Sequence, residues 1–253
     1  MNLIISVRSE ILKTKRTAAF YLTIIAAALV PFIFLMDVSF DGISPENRKD
    51  AFNAFIREGF GFLSVLIFPM FVILVCTLLP QIEFRNNTWK QVFASPRTMK
   101  DIFIARFLNV HLLILLFLVS FNLFMFMASI AIHFIDPETE LLRWPLDGMA
   151  LLNYNVNIYV AILAMSAIQF WVGLRFRNFI PPIAIGFAMW FTGTMMVMEF
   201  HTSNAHFFPY TYLVLSFFPK NRELLPTAQL FSLAYMLLFL ALGFIDFNRR
   251  KMK

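Results

Sequence analysis

Nearly uncharged apolar runs occupy residues 18–36, 61–80, 107–133, 154–174, 180–200 and 229–247. Each is close to the roughly 20 residues that carry a helix across a bilayer's hydrocarbon layer. Lipid offers no partner to backbone N–H and C=O groups, and the runs lack the period-two alternation of barrel strands. The pattern therefore predicts six membrane-spanning helices.

The segments between the runs carry patterns of their own. In "MNLIISVRSEILKTKRT", Leu3, Ile4, Val7 and Ile11 share one arc at helical spacing, while Arg8, Lys13, Lys15 and Arg16 lie off it. Residues 1–17 thus read as an amphipathic helix along the inner membrane surface, or as a short basic tail. The long apolar run that follows has no small-x-small site to close it, so the basic start reads as retained rather than as a cleaved signal.

Residues 81–106 form a basic detour between the second and third runs. Asn86, Asn87 and Thr88 offer helix-starting side chains, and Trp89, Val92 and Phe93 share a face with Lys90 off it. Pro96 breaks that helix, and a second one can start with Ser95 as its cap and run into the third span. A helix, a break and a helix is more than a connector requires. It suits a docking point for a cytoplasmic partner, or equally an interfacial helix lying in the headgroups. Residues 201–228 hold an apolar stretch, 207–218, too short to cross and interrupted by Pro209, which predicts a re-entrant dip whose backbone other parts of the protein cover. Pro181 and Pro182 read as a helix-starting pair.

Composition supports the membrane reading: 60% of the 253 residues are hydrophobic and 14% are charged, beyond what a soluble core of this size could hide. The fold class expected is all-α integral membrane, in a single domain over residues 1–253. The net charge of +6 is topological. With both termini in the cytoplasm, most of the Lys and Arg fall inside, and Arg48, Lys49, Arg57, Arg143, Lys220 and Arg222 fall outside. The basic balance thus implies no nucleic-acid partner. Cys76 stands alone, so it has no internal disulfide partner.

Candidate chemistry is sparse. No two of the eight glycines stand five apart, so no phosphate-cradling G-x-x-x-x-G-K-[ST] loop exists and the chain has no ATPase of its own. The spans hold no acid or base near their centres of the kind ion-coupled transporters use; Glu199, His111 and His133 read as boundary residues that reach water. His201 and His206 lack a nearby Cys or carboxylate pair and read as capping or solvent-facing rather than metal ligands. Ser120, Asn122, Ser129, Asn155, Ser166, Gln169, Thr192 and Thr194 read first as interhelical hydrogen-bonding groups. Gly186 and Gly193 offer room for a partner helix.

With these residues in view, the chain resembles the membrane subunits of type 2 ATP-binding-cassette exporters, in particular the small permeases of self-protection against lantibiotic-type peptides. The resemblance covers nearly the whole chain. Its most specific part is the loop, where that family tends to show a Glu, a Thr and a Pro before the third helix, matched by Glu83, Thr88 and Pro96. Asn87 stands where the family often has Gly. The resemblance implies that the loop is a coupling helix seated on a nucleotide-binding subunit. Trp89 and Phe93 would be its anchors, or headgroup anchors in the interfacial reading, with Lys90, Arg97 and Lys100 as the charged rim. It also implies that the N-terminal helix, with Arg8, Ile11, Lys13, Lys15 and Arg16, lies against the same subunit.

The leading expectation is accordingly a non-catalytic permease in the cytoplasmic membrane. It would work as a homodimer or with a related permease, binding no cofactor itself, with ATP and Mg on the partner ATPase. Its cargo would be hydrophobic or amphipathic, with antimicrobial peptides as one such class. The alternatives are a secondary transporter or channel not coupled to ATP, and a membrane enzyme or assembly factor, which would need a clustered nucleophile, base or metal set.

Overall fold

Backbone groups inside hydrocarbon must bond within their own segment, and the chain answers with helices almost throughout. A computed structural model describes residues 2–41, 50–85, 97–135, 137, 141–143, 145–217 and 223–250. Among them the elements are α1 (Asn2–Thr14), α2 (Ala18–Asp41), α3 (Ala51–Phe62), a π-helical turn (Leu63–Ile67), α4 (Phe68–Arg85), α5 (Met99–Ile135), α6 (Gly148–Arg175), α7 (Ile180–Met198), α8 (Tyr212–Phe217) and α9 (Leu225–Arg250), with no strand. Six helical stretches are long and apolar enough to cross a membrane, in the order expected: Ala18–Asp37, Ala51–Ile82, Met99–Ile135, Gly148–Arg175, Ile180–Met198 and Leu225–Arg249.

Several boundaries lie outside the apolar runs because helices outlast the hydrocarbon. The second span begins at Ala51, where α3 buries Phe52, Phe55, Ile56 and Phe60 while Arg57 and Glu58 stay exposed. The third begins at Met99 rather than near Ser95. Thr98 Oγ1 accepts from Asp101 N–H at 3.1 Å, so the cap is Thr98, with an acid at the third position as in a capping box.

The core is aromatic and follows the second, third and fourth spans. Phe71 stacks on Phe117 at 4.4 Å, Phe60 meets Phe121 edge-on at 5.1 Å, and Phe107 meets Phe170 at 5.4 Å. The fourth span is central, and residues 161–170 are buried on every side. Its other partner is the sixth span, gripped by Ser232, whose Oγ donates to the Val160 carbonyl at 2.6 Å, and by Gln229, whose Nε2 donates to Asn157 Oδ1 at 2.8 Å. The first span lies on the third through a small-residue face of Ala19, Thr23, Ala26 and Ala27, which lets the backbones come close.

Candidate transmission site

Residues 86–96, and with them Asn87, Thr88, Trp89, Lys90, Phe93 and Pro96, lie outside the described residues, as does the side chain of Glu83. What is described is everything that brackets them: α1, the end of α4 and the start of α5. These three meet around a small cleft of about 30 Å³ lined by Glu10, Lys13, Thr14, Pro80, Arg106 and Asn109, among others.

The apolar arc read in the sequence is not the side of α1 that packs on the protein. Its protein side is polar: Ser6 and Thr14 are buried, and Asn109 Nδ2 donates to Thr14 Oγ1 at 2.7 Å inside the junction with α5. Ile4, at 76% exposed, and Ile11 and Leu12 face outward. The reason is the partner surface, since Asn109 needs an acceptor and an apolar side chain would leave it unsatisfied. The helix ends at Thr14 instead of running to residue 17, because Arg16 adopts a left-handed φ of 67° that stops it and turns the chain into α2. Of the expected partner-facing residues, Arg8, Lys15, Arg16 and Lys100 are exposed and Arg97 is partly buried. Lys13 is ion-paired to Glu10 at 2.6 Å. Arg106, which the sequence reading passed over, is buried with its guanidinium carbon 5.5 Å from the Phe247 ring centre, tying α5 to α9.

The second span, which leads into the undescribed loop, carries two prolines, and each removes the donor owed to a carbonyl four residues earlier. Pro69 has no N–H for the Val65 carbonyl; the helix opens into the π turn there, and Trp190 Nε1 of the fifth span donates to that oxygen at 2.9 Å. Pro80 has none for the Cys76 carbonyl. Gly173 of the fourth span packs directly on that oxygen, where any Cβ would collide with it. An α-hydrogen of glycine then faces the orphaned acceptor. The span is thus interrupted twice, and each interruption is occupied by a different neighbouring span.

The segment before the sixth span consists of short turns, Ala205–Phe207 and Pro209–Thr211, followed by α8. Residues 209–215 are buried, and the Tyr210 backbone sits against Gly193 of the fifth span. The Tyr210 hydroxyl donates to Gln169 Oε1 at 3.1 Å, and Gln169 Nε2 donates to the Pro182 carbonyl at 2.8 Å. Gly186 makes room for the same Gln169 side chain. The two glycines therefore serve contacts within the chain rather than a partner helix. Pro181 and Pro182 stand in the first turn of α7, as a helix-starting pair should.

Among the other polar groups of the spans, Asn122 and Asn155 pair across the third and fourth spans, and Ser166 reaches His111, all interhelical as expected. Ser129 and Thr192 instead bond the carbonyl four residues back in their own helices. His111 does not reach water: it is buried, with Nδ1 3.3 Å from the Tyr159 hydroxyl and Nε2 3.3 Å from Ser166 Oγ. Its ring lies against Phe107 one turn earlier, which seals it from the helix end. His201 and His206 lie 3.0 and 3.2 Å from the carbonyls of Val197 and Ser203, consistent with capping. Among the described residues no group of His, Cys, Asp and Glu is placed to hold a metal.

A family model described as ABC-2 family transporter protein matches residues 6–193. No curated protein matches the chain.

Proposed function

The chain belongs to the ABC-2 family of transporter proteins, a transmembrane and non-catalytic subunit whose ATPase is a separate chain, and from that premise we propose that it is the permease of an exporter. Its cargo is hydrophobic or amphipathic, with antimicrobial peptides as the leading class and self-immunity as the role. Two permeases, identical or related, work together in the cytoplasmic membrane with their termini in the cytoplasm and α1 along the inner surface. ATP and Mg reside on the partner.

The observation that supports this reading best is the frame around residues 86–96. On one side, Thr98 caps a helix of 37 residues that is continuous with the third span; on the other, α4 continues the second span to Arg85. A push on a segment held between two such helices is delivered to the core rather than absorbed by a flexible link. In this reading Glu83, Asn87, Thr88, Trp89, Lys90, Phe93 and Pro96 form the coupling surface, with Arg97 and Lys100 on its rim. Arg8, Ile11, Lys15 and Arg16 touch the same ATPase, and Lys13 holds Glu10 in place beside them.

The test is purification of the chain with a co-expressed cassette ATPase, followed by ATPase assay with amphipathic peptides. The Trp89→Ala/Phe93→Ala double variant should remain in the membrane and lose the ATPase from the pull-down. Retention of the ATPase by that variant would overturn the assignment of the surface.

One observation favours a second reading, secondary transport without ATP. His111 is an ionisable group buried among helices within a span, a position often tied to proton movement. Uptake by the lone chain in liposomes under a proton gradient, lost in His111→Gln, would establish that reading in place of the first.

A further inference from the structure

The two halves of the second span are held in different ways. The α4 half is fastened to the backbone of the fourth span and the turn after it. Gly173 rests on the Cys76 carbonyl, Cys76 Sγ donates to the Ser166 carbonyl at 3.7 Å, and Gln81 Nε2 donates to the Phe176 carbonyl at 3.1 Å.

The α3 half meets its neighbours within the membrane through side chains. Phe60 lies 5.1 Å from the Phe121 ring and 5.4 Å from that of Tyr154, and Phe55 meets Phe34 at 5.8 Å. The tip of Met125 lies over Gly59 and the ring of Phe217 over Gly61, where the α4 half has backbone over Cys76. Apolar contacts of this kind exchange for lipid at little hydrophobic cost, because acyl chains are as apolar as the side chains they replace. Between the halves lies the π turn Leu63–Ile67, with the helical ladder open at the Val65 carbonyl. Trp190 supplies that oxygen with its donor from another span, so the break is satisfied whatever angle the two halves make.

A polar tie closes α3 at the end away from α1. Asn53 Nδ2 donates to the Pro145 carbonyl at 3.1 Å, and Asn53 Oδ1 accepts from Asp147 N–H at 2.9 Å. Asp147 is the cap of α6, its carboxylate accepting from the N–H groups of Met149 and Ala150. One amide therefore fastens α3 to the turn that opens the fourth span, and it does so in an exposed position where water can replace it.

We propose that α3 is a hinged arm. It turns about the π turn, where Trp190 pins it, and Asn53 is the catch that holds it closed against the start of the fourth span. In the movement α4 stays with the fourth span, while α3 leans away from Phe121, Met125 and Tyr154 and lipid takes their place. Asn53 and its two backbone partners exchange their bonds for bonds to water, which lowers the cost of release. The hinge belongs to the chain itself and is independent of ATP. With the termini in the cytoplasm, as proposed above, the arm would open the opposite leaflet, where an exporter releases cargo; that role alone rests on the permease reading.

The test is double electron–electron resonance on the full chain in nanodiscs, in a Cys76→Ser background that keeps a donor toward Ser166. No ATPase is present, so the result stands apart from the coupling assignment. One pair of spin labels, at Arg57→Cys and Phe134→Cys, joins the arm to the third span; a second, at Leu108→Cys and Ile245→Cys, joins the third and sixth spans nearer α1. All four positions are exposed. Asn53→Ala should raise the ratio of a longer distance to the closed one about tenfold in the first pair and leave the second pair unchanged. Adding Pro69→Ala, which returns an N–H for the Val65 carbonyl to its own helix, should cancel the increase. An unchanged first pair in Asn53→Ala, equal broadening of both pairs, or an increase that persists with Pro69→Ala would each overturn the hinge. Should the double variant not fold, Asn53→Ala still decides, because a hinge moves the first pair alone.

Discussion

Thr98 is a single hydroxyl that caps the start of the third span. Thr98→Ala removes the acceptor for Asp101 N–H and should lower stability by about 1 kcal/mol, the usual cost of a lost cap. Thermal unfolding of the purified chain in detergent, with Thr98→Ser as the conservative control, measures it. Gly173 is more demanding. Any side chain there meets the Cys76 carbonyl, and backbone cannot swing away as a side chain tip can, so Gly173→Val should abolish the monodisperse peak in size-exclusion chromatography. Gly148→Ala, where nothing lies within 4 Å of the new methyl group, should leave it unchanged. Neither requirement can be seen in the sequence alone, because the carbonyl in question is 97 positions from the glycine that accommodates it.

Of the helices, the second span depends most on its neighbours, because its interruptions are filled from outside. Trp190→Phe keeps the ring and deletes the donor, leaving the Val65 oxygen without its indole partner at a cost of about 1–3 kcal/mol. Pro69→Ala should relieve the same defect by restoring an N–H on the helix itself. The double variant should therefore be more stable than Trp190→Phe alone, a sign of coupling that a double-mutant cycle in thermal stability reads directly. The spans themselves were legible, since long apolar runs leave a backbone in lipid no alternative to helix. So were the proline pair opening α7 and the buried turns before the sixth span. The π turn was not, because Pro69 announces a missing donor without saying whether water, a side chain or a looser turn replaces it. The protein-facing side of α1 was hidden for a related reason. An apolar arc identifies the side that avoids water, and in this helix the side that meets protein is set by Asn109, 95 residues away.

At the scale of the molecule, six helices among the described residues are long and apolar enough to cross a membrane, and six crossings would put both termini on one side. Single cysteines introduced at Ser9 and at Asn248 into a Cys76→Ala background should be labelled from the same face by an impermeant maleimide, and one at Asn204, in the segment between the fifth and sixth spans, from the other. Labelling of Asn204→Cys together with the terminal sites would remove one of the crossings. The loop at residues 86–96 was the strongest functional signal in the sequence, and the described structure reaches it through its supports: the capped start of α5, the end of α4, and α1 joined to them by Thr14 and Asn109. The supports themselves were hard to foresee, since an isolated Thr, Asn or Arg has no periodicity to announce it.

The fourth span, enclosed over residues 161–170, has a consequence for how the protein is made. A helix with no lipid-facing side over that stretch has no settled place in the membrane until its neighbours arrive, and Ser232 and Gln229, which grip it, are synthesised well after it. Nascent chains released before the sixth span should therefore be recognised by quality-control proteases, and pulse-chase of such truncations should show them decaying faster than the finished chain.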